Sequence, residues 1–365
     1  MKNYIGRPKE DLDTPVVLVD LEIMEKNIEK MVGIIVKSAG VRWRPHTKAM
    51  KTPELAQKLL DAGASGITCA KLGEAEVMAD AGITDILVAN QIVGPYKIAR
   101  LVELRHRADV MVLVDNKENI DALDRAAQES GIILKVLVEV NVGMDRAGVE
   151  PGEPVLELAK KIEESKGLEF SGIQTWESHT LKITPLEKKE RTLAEAIKRF
   201  VDSAELCRKN GISVDILSCG GTGTYWISAV QPGITEIEAG GGIFCDIQYH
   251  KNFGVAHDYA LTVYSTVTSR PTPTRLICDS GRKTMSTDAG TPKPLGMPEV
   301  TSVSLSAEHG IVQFAEPTSK PTVGDRIEFV VGYSDTTTFL HDYIYGIRNG
   351  IVETAWPLLG RGKLQ

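Results

Sequence analysis

The sequence predicts an α/β protein: a (β/α)8 barrel of the TIM type plus a C-terminal β-domain that includes the N-terminal strand. Three observations predict this architecture. Between residues 41 and 242, short β-branched runs alternate with amphipathic helical stretches, which is typical of a parallel sheet with crossover helices. Eight such units fill this stretch, and eight is the number that closes the barrel. After about residue 255, strands separated by turn residues replace the helical patterns.

The eight predicted barrel strands follow one another along the chain. They are VRWRPHT (41–47), GITCA (66–70), DILVAN (85–90), DVMVLVD (109–115), KVLVEV (135–140), LEFSGIQTW (168–176), SVDILSC (213–219) and ITEIEAG (234–240). Several helical segments between them end in DAG, ESG or KNG, and glycine is the usual helix stop signal. No GxGxxG follows the first strand, so a dinucleotide site is not indicated.

Two further segments lie outside the predicted barrel. TPVVLVDLEIMEKNIEKM near the N-terminus predicts one strand and one helix. Among the strands after residue 255, the dipeptide Asn349-Gly350 predicts a β-hairpin turn. We therefore predict a barrel domain over residues 25–252 and a β-strand domain formed by residues 1–24 and 253–365.

The composition excludes several classes of function. The 365 residues carry 42 basic and 49 acidic side chains, and the net charge of −7 disfavours nucleic acid or an anionic membrane as the partner. No apolar run reaches the roughly 20 residues of a membrane span, and the first residues lack the apolar core of a signal peptide. The five cysteines are scattered without a CxxC pair. We expect a cytoplasmic protein that acts on a small molecule.

Candidate functional residues collect at the C-terminal ends of the predicted strands, where barrel enzymes have their active sites. Lys48 follows the first strand, and Arg146 and His179 lie in the loops after the fifth and sixth. Glycine-rich segments follow the seventh and eighth strands, where backbone N–H groups commonly bind phosphate. The candidate phosphate ligands are Gly220, Gly221, Thr222, Gly240, Gly241 and Gly242.

A lysine and a phosphate site at one end of a barrel suggest a phosphorylated aldehyde cofactor held as a Schiff base, such as pyridoxal phosphate. Arg44, His46 and Lys48 alternate along the first strand, so we expect them to face the same side. A phosphosugar-binding barrel with a Schiff-base lysine would show similar spacing, and that alternative stays open on spacing alone.

Six segments resemble the D-threonine aldolase/D-serine dehydratase group of fold-type III pyridoxal phosphate enzymes, which have an alanine racemase-like barrel. They are DTPVVLVDLEIMEKNI, RPHTKAMKTPELAQ, VEVNVGMDRAGV, GIQTW, SCGGTGT and DSGRKTMSTD. The resemblance implies that Lys48 forms the internal aldimine and that Arg146 lies near the cofactor ring. It places His46, Trp176 and Ser218 among the cofactor-binding residues, with the glycine loops on the phosphate. It also implies a homodimer in which the β-domain of one subunit closes the active site of the other.

Two segments depart from the group's pattern. Its typical members bind a divalent metal through a His-x-Asp or His-x-Cys motif, and VGYSDTTTFLHD places Tyr333 at the histidine and Asp335 at the second ligand. Neutral tyrosine is a poor ligand for Mg²⁺ or Mn²⁺, so a metal at Asp335 is left open. In QTWESHTLK, Trp176 replaces the group's tyrosine and Lys182 replaces a histidine, for which His179 is the nearby substitute.

The resemblance implies a lyase that acts on a D-β-hydroxy amino acid through a Lys48 aldimine. In the group, aspartate in the metal motif accompanies aldolases and cysteine accompanies dehydratases, so Asp335 favours cleavage to glycine and an aldehyde. Dehydratase-type deamination of D-serine or 3-hydroxyaspartate and metal-independent racemisation are the alternatives. The candidate catalytic residues are Lys48, His179 and Tyr333. A non-enzymatic pyridoxal phosphate carrier is disfavoured, because such single barrels are shorter and lack a β-domain.

Overall fold

The structure is a computed structural model that describes residues 4–365. The chain divides into two compact units. The strand-rich unit comprises the chain through Glu29 together with Ala49–Thr52 and Gly241–Arg361, and the barrel unit comprises Lys30–Lys48, Pro53–Gly240 and Gly362–Gln365. The predicted domain boundaries stay a prediction, and their residues 1–3 lie outside the described residues.

The described chain first forms β1 (Val16–Asp20) and α1 (Leu21–Val32), which continues into a π-helical turn at Gly33–Ser38. The Asp20 carboxylate accepts a hydrogen bond of 3.0 Å from the backbone N–H of Ile23. This contact satisfies one of the N–H groups that the first helical turn leaves without a partner.

The barrel unit is built on one parallel sheet. Its strands, eight among the described residues, are β2 (Arg42–Trp43), β3 (Ile67–Cys69), β4 (Asp85–Gln91), β5 (Asp109–Val114), β6 (Leu134–Val140), β7 (Leu168–Thr175), β8 (Ile216–Cys219) and β9 (Glu236–Ile237). The sheet runs in the order β2-β9-β8-β7-β6-β5-β4-β3. The residues after β2 curl it closed, because the His46 N–H donates to Glu238 O at 2.9 Å and the Thr47 N–H donates to Thr68 O at 2.8 Å. The predicted barrel is confirmed.

Helices follow the barrel strands as the amphipathic segments predict. They are α2 (Pro53–Asp61), α3 (Leu72–Asp80), α4 (Pro95–Arg105), α5 (Lys117–Glu129), α6 (Glu153–Glu163), α7 (Leu186–Lys209) and α8 (Tyr225–Ser228). At the start of α5, the Asn116 side chain accepts a hydrogen bond from the Asn119 N–H at 2.8 Å. No helix between residues 4 and 365 combines the length and the apolar character needed to span a membrane.

The strand-rich unit continues after the barrel. Its elements are β10 (Leu261–Thr272), β11 (Arg275–Cys278), β12 (Lys293–Pro294), β13 (Val300–Leu305), β14 (Gly310–Phe314), β15 (Arg326–Val330), α9 (Ser334–Thr338), β16 (Tyr343–Arg348) and β17 (Ile351–Pro357). β1 pairs antiparallel with β10 and parallel with β16, as predicted for the N-terminal strand. The β16–β17 hairpin turns at Asn349 and Gly350, whose φ angles of 51° and 76° suit a two-residue turn.

The barrel interior is apolar in one part and charged in another. An apolar cluster consists of Leu87, Met111, Leu113, Leu137 and Ile216. Beside β2, the buried guanidinium of Arg44 bonds Glu236 at 3.0 Å and Asp85 at 2.5 Å. Because Asp85 is the first residue of β4, Arg44 reaches toward the N-terminal ends of the strands and away from the end that carries Lys48.

Candidate active site

Lys48 lies in a turn at the C-terminal end of the closing segment, residues 42–47. The last backbone pairing of that segment is at Thr47, so the alternation predicted from Arg44 to Lys48 does not continue to the lysine. The Lys48 N–H donates to Nδ1 of His46 at 3.3 Å, so the imidazole shapes the turn. A Cβ on Gly240 would lie 2.1 Å from the carbonyl oxygen of His46, and only glycine allows this approach.

The loop after β6 presents Arg146 at the same end of the barrel. The Asn141 side-chain oxygen accepts the N–H groups of Gly143 at 3.0 Å and of Asp145 at 3.1 Å, which fixes the turn. The Arg146 side chain is 55% exposed, and its guanidinium lies 3.5 Å from the buried carboxylate of Glu139. Because Glu139 belongs to β6, the rigid strand orients the cation.

Trp176 and His179 follow β7 and touch the neighbouring loops. A Cβ on Gly143 would lie 3.2 Å from the His179 ring, so the exposed imidazole packs on the backbone of the Arg146 loop. A Cβ on Gly221 would lie 2.1 Å from Cη2 of Trp176, so the indole packs on the glycine-rich loop after β8. The structure thus brings together residues that lie far apart in the sequence.

The loop Gly220–Thr224 offers only some of its N–H groups to a ligand. The Gly220 N–H donates to Glu177 at 3.3 Å, and the Gly221 N–H donates to the Thr224 hydroxyl at 3.2 Å. Thr222 and Gly223 are buried, and their N–H groups and the Thr222 hydroxyl have no hydrogen-bond partner among the described residues. Buried donors are rarely left unsatisfied, so this group of donors fits a phosphate. The sequence had not indicated Gly223 or Glu177.

Ser218 lies deeper in the barrel. It is fully buried, and its hydroxyl lies 3.0 Å from a carboxylate oxygen of both Glu236 and Glu238. A hydroxyl has one proton to donate, so the second contact requires a proton on one of the carboxylates. Burial, reinforced by the charge of Glu236, raises the pKa of Glu238 to about 7. Glu238 therefore holds this proton below neutral pH.

The other predicted phosphate ligands, Gly241 and Gly242, belong to the strand-rich unit. They begin a 3₁₀ turn, Gly241–Ile243. A Cβ on Gly241 would lie 2.6 Å from the Tyr249 hydroxyl oxygen, and the Gly242 carbonyl accepts a hydrogen bond of 2.7 Å from Nδ1 of His257. Their contact with a cofactor stays a prediction.

Tyr333 and Asp335 form a hydrogen-bonded pair in the strand-rich unit. The Tyr333 hydroxyl donates to Oδ2 of Asp335 at 2.6 Å, and its ring lies 5.8 Å from that of Tyr249. Burial, with the negative charge of Asp335, raises the pKa of Tyr333 well above its usual value, so the phenol keeps its proton.

Two further groups of the strand-rich unit have shifted pKa values, namely Asp246 beside Ser334 and His341 beside Thr284. Burial raises the pKa of Asp246 to about 7, although the carboxylate accepts hydrogen bonds from Tyr249 and Ser334. Burial lowers the pKa of His341, whose Nε2 lies 2.9 Å from the carbonyl oxygen of Thr284. Within the part of the chain that the structure describes, no three His, Cys, Asp or Glu residues form a group that could hold a metal ion. A protonated phenol beside one carboxylate does not fit a divalent cation.

The chain matches the family model described as "Alanine racemase, N-terminal domain" over residues 19–247. It belongs to that family. Residues 260–347 match the model described as "Putative serine dehydratase domain". The prediction of family and fold is confirmed.

Similar proteins cover almost the whole chain. The D-threonine aldolase of Arthrobacter sp. is 35% identical over 98% of this chain and 95% of its own. The D-threo-3-hydroxyaspartate dehydratase of Delftia sp. strain HT23 is 30% identical over 86% of this chain and 87% of its own. The crystal structure of D-threonine aldolase from Filomicrobium marinum superposes with a TM-score of 0.95 at 32% identity, over 99% of both chains.

Proposed function

We propose that this family member is a pyridoxal phosphate-dependent lyase that cleaves a D-β-hydroxy amino acid into glycine and an aldehyde. The observation that carries the proposal is the buried loop with free N–H groups at Thr222 and Gly223, at the end of the barrel where Lys48 lies. The C-terminal ends of parallel strands lie at the same end of a barrel. The Lys48 amine and the N–H groups that would bind phosphate therefore lie at the same end. The aldolase relatives support the choice of reaction.

Different residues of the chain would bind different parts of the cofactor. When bound, pyridoxal phosphate supplies the electron sink that stabilises negative charge at the substrate's Cα. Lys48 would hold the cofactor at its aldehyde group, and the Thr222 and Gly223 N–H groups would hold its phosphate. Arg146, which lies 3.5 Å from Glu139, would offer a cation to the cofactor ring. Trp176 packs against Gly221 and so covers part of the loop Gly220–Thr224.

Aldol cleavage requires a base for the β-hydroxyl proton as the Cα–Cβ bond breaks and a proton to return to Cα. His179 is our candidate for this base, because its exposed imidazole stands at the barrel mouth against Gly143. Tyr333 is the weaker candidate, since its proton is already held by the hydrogen bond to Asp335. We propose that no tightly bound metal takes part.

Dehydration is the second candidate reaction, supported by the dehydratase relative from Delftia. It would release ammonia and a 2-oxo acid in place of glycine and an aldehyde. Aspartate rather than cysteine at position 335 favours the aldolase. We further propose a cytoplasmic homodimer. All five cysteines lie in the described range and are free, which is usual in a reducing compartment.

Product analysis tests the proposal. The purified protein is incubated with pyridoxal phosphate and a panel of D- and L-β-hydroxy amino acids, and glycine, aldehyde, ammonia and 2-oxo acid are quantified separately. We expect glycine and aldehyde in equal amounts, from D-substrates only. Ammonia with a 2-oxo acid would select the dehydratase, and interconversion of D- and L-substrates without cleavage would select a racemase.

A further inference from the structure

Glu177 connects the end of β7 to the loop Gly220–Thr224. The residue is fully buried. Its carboxylate accepts hydrogen bonds from the Thr224 hydroxyl at 2.7 Å, the Ser228 hydroxyl at 2.6 Å and the Gly220 N–H at 3.3 Å. A buried carboxylate is costly unless it is hydrogen-bonded and its charge is compensated. A bound phosphate nearby would add to that cost, so the anion must have a cationic partner.

Lys189 of α7 supplies the cation. Its side chain is also buried, and Nζ donates to the carbonyl oxygen of Gly223 at 2.7 Å and lies 5.0 Å from the ring centre of Trp226. Burial lowers the pKa of Lys189 to about 8, and the charge of Glu177 opposes that shift. The ammonium group is therefore mostly charged at neutral pH.

The two side chains hold the two ends of the loop. The Glu177 carboxylate accepts hydrogen bonds from the Gly220 N–H and the Thr224 hydroxyl. The Lys189 ammonium donates to the Gly223 carbonyl and so keeps it directed toward the protein interior. If that carbonyl turned outward, its oxygen would point at the phosphate and repel it. With both ends fixed, the N–H groups of Thr222 and Gly223 stay available.

We propose that Glu177 and Lys189 are positioning residues that hold the loop Gly220–Thr224 in its phosphate-binding form. This inference rests on the proposed function, because it assigns the loop to the cofactor's phosphate. Glu177 and Lys189 form hydrogen bonds with groups of the loop itself. Both act through the loop, so their effect is confined to ligands that carry a phosphate.

The test compares two ligands that differ only in that group. Full-length protein is freed of cofactor and titrated with pyridoxal phosphate or with pyridoxal, and the dissociation constants are measured by absorbance. For Glu177→Gln and Lys189→Met we expect the constant for pyridoxal phosphate to rise about 10- to 100-fold, as loss of a charged hydrogen bond predicts. The constant for pyridoxal should stay unchanged. Lys198→Met, on the same helix but 74% exposed, should alter neither constant.

Equal weakening of both ligands would assign the pair a purely structural role and overturn the proposal, as would unchanged binding of pyridoxal phosphate. If Glu177→Gln does not fold, Ser228→Ala removes one hydrogen bond to the carboxylate, with an expected selective loss of about threefold. Failure of the unmodified protein to bind either ligand would instead refute the proposed function.

Discussion

Lys48 stands one residue beyond Thr47, the last residue of the closing segment that pairs with β3. The strand ends of the barrel carry a second lysine, Lys71, between β3 and α3. The backbone of Lys48 is tied to His46, and its neighbourhood includes the close approach at Gly240. These contacts distinguish it from an ordinary surface lysine.

We therefore predict that borohydride reduction of the protein with pyridoxal phosphate attaches the pyridoxyl group to Nζ of Lys48 alone. Peptide mass spectrometry locates the modification. Lys48→Ala should lose both the label and the long-wavelength absorbance, while Lys71→Ala should keep them. A label on Lys71, or a retained absorbance in Lys48→Ala, would refute the assignment of the amine.

Glu238 makes stability depend on pH. Its pKa is raised to about 7 in the folded protein, above the usual value near 4.3 for an unfolded chain. Between these two pKa values the folded state binds more protons than the unfolded state, so the free energy of unfolding falls as pH rises. Above pH 7 the folded protein bears the full cost of an ionised, buried Glu238 carboxylate. Glu238→Gln removes this cost, because glutamine does not ionise.

We compare the free energy of unfolding of Glu238→Gln with that of the unmodified protein. The gain in the variant should be larger at pH 8 than at pH 5 by roughly 1–3 kcal/mol. Urea unfolding at both pH values measures the difference. The comparison between variant and parent cancels the titration of Asp246, which has a similar pKa. Glu187→Gln, at an exposed position of α7, is the control and should show no such difference. An equal effect at both pH values would refute a protonated Glu238.

At the level of elements, the sequence predicted all eight barrel strands because capped helices and β-branched runs alternate strictly. It did not predict where donors and acceptors meet within a loop. The pattern GGTGT indicates flexibility and N–H groups, yet which of them are free is decided by Glu177, some forty residues earlier in the chain. Likewise, period-two alternation places Glu236 and Glu238 on one face, but only the folded barrel shows that they share Ser218.

The contact between Trp176 and Gly221 gives a prediction at this scale. Gly221→Ala would place a Cβ 2.1 Å from Cη2 of the indole, so the ring or the loop must move. We expect the dissociation constant for pyridoxal phosphate to rise about tenfold or more, measured by titration of the cofactor-free protein. Adding Trp176→Ala removes the clash, so the double variant should bind more tightly than Gly221→Ala alone.

Gly33→Ala is the matched control, because among the described residues no atom outside its chain neighbours and its own helix backbone lies within 4 Å of the added Cβ. It should bind the cofactor like the unmodified protein. If Gly221→Ala also binds normally, the loop tolerates displacement and the phosphate is held elsewhere. If the double variant is no better than the single one, the loss has a cause other than the indole.

For the molecule as a whole, the sequence predicted the family and the two-part architecture from segments spread along the chain. The family pattern alone does not predict what happens at the position of its metal-binding histidine. Tyr333 replaces the histidine expected from the family pattern, and its hydroxyl forms a hydrogen bond with Asp335. Residue identity indicated a poor ligand, while only the structure shows that the protonated phenol donates a hydrogen bond to the remaining carboxylate.

The last prediction follows from that pair. After dialysis against a chelator, we expect turnover with pyridoxal phosphate to stay within about twofold of its starting value, since one carboxylate cannot hold a hard cation tightly. Tyr333→His places an imidazole beside Asp335 and removes the phenolic proton, so Mn²⁺ binding measured by calorimetry should become at least about tenfold tighter. Tyr333→Phe is the control, because it removes the hydroxyl without adding a ligand and should not bind Mn²⁺ more tightly. Stoichiometric metal in the purified protein, with activity lost on chelation and restored by Mn²⁺, would show that the cation is held by other groups and that the prediction is wrong.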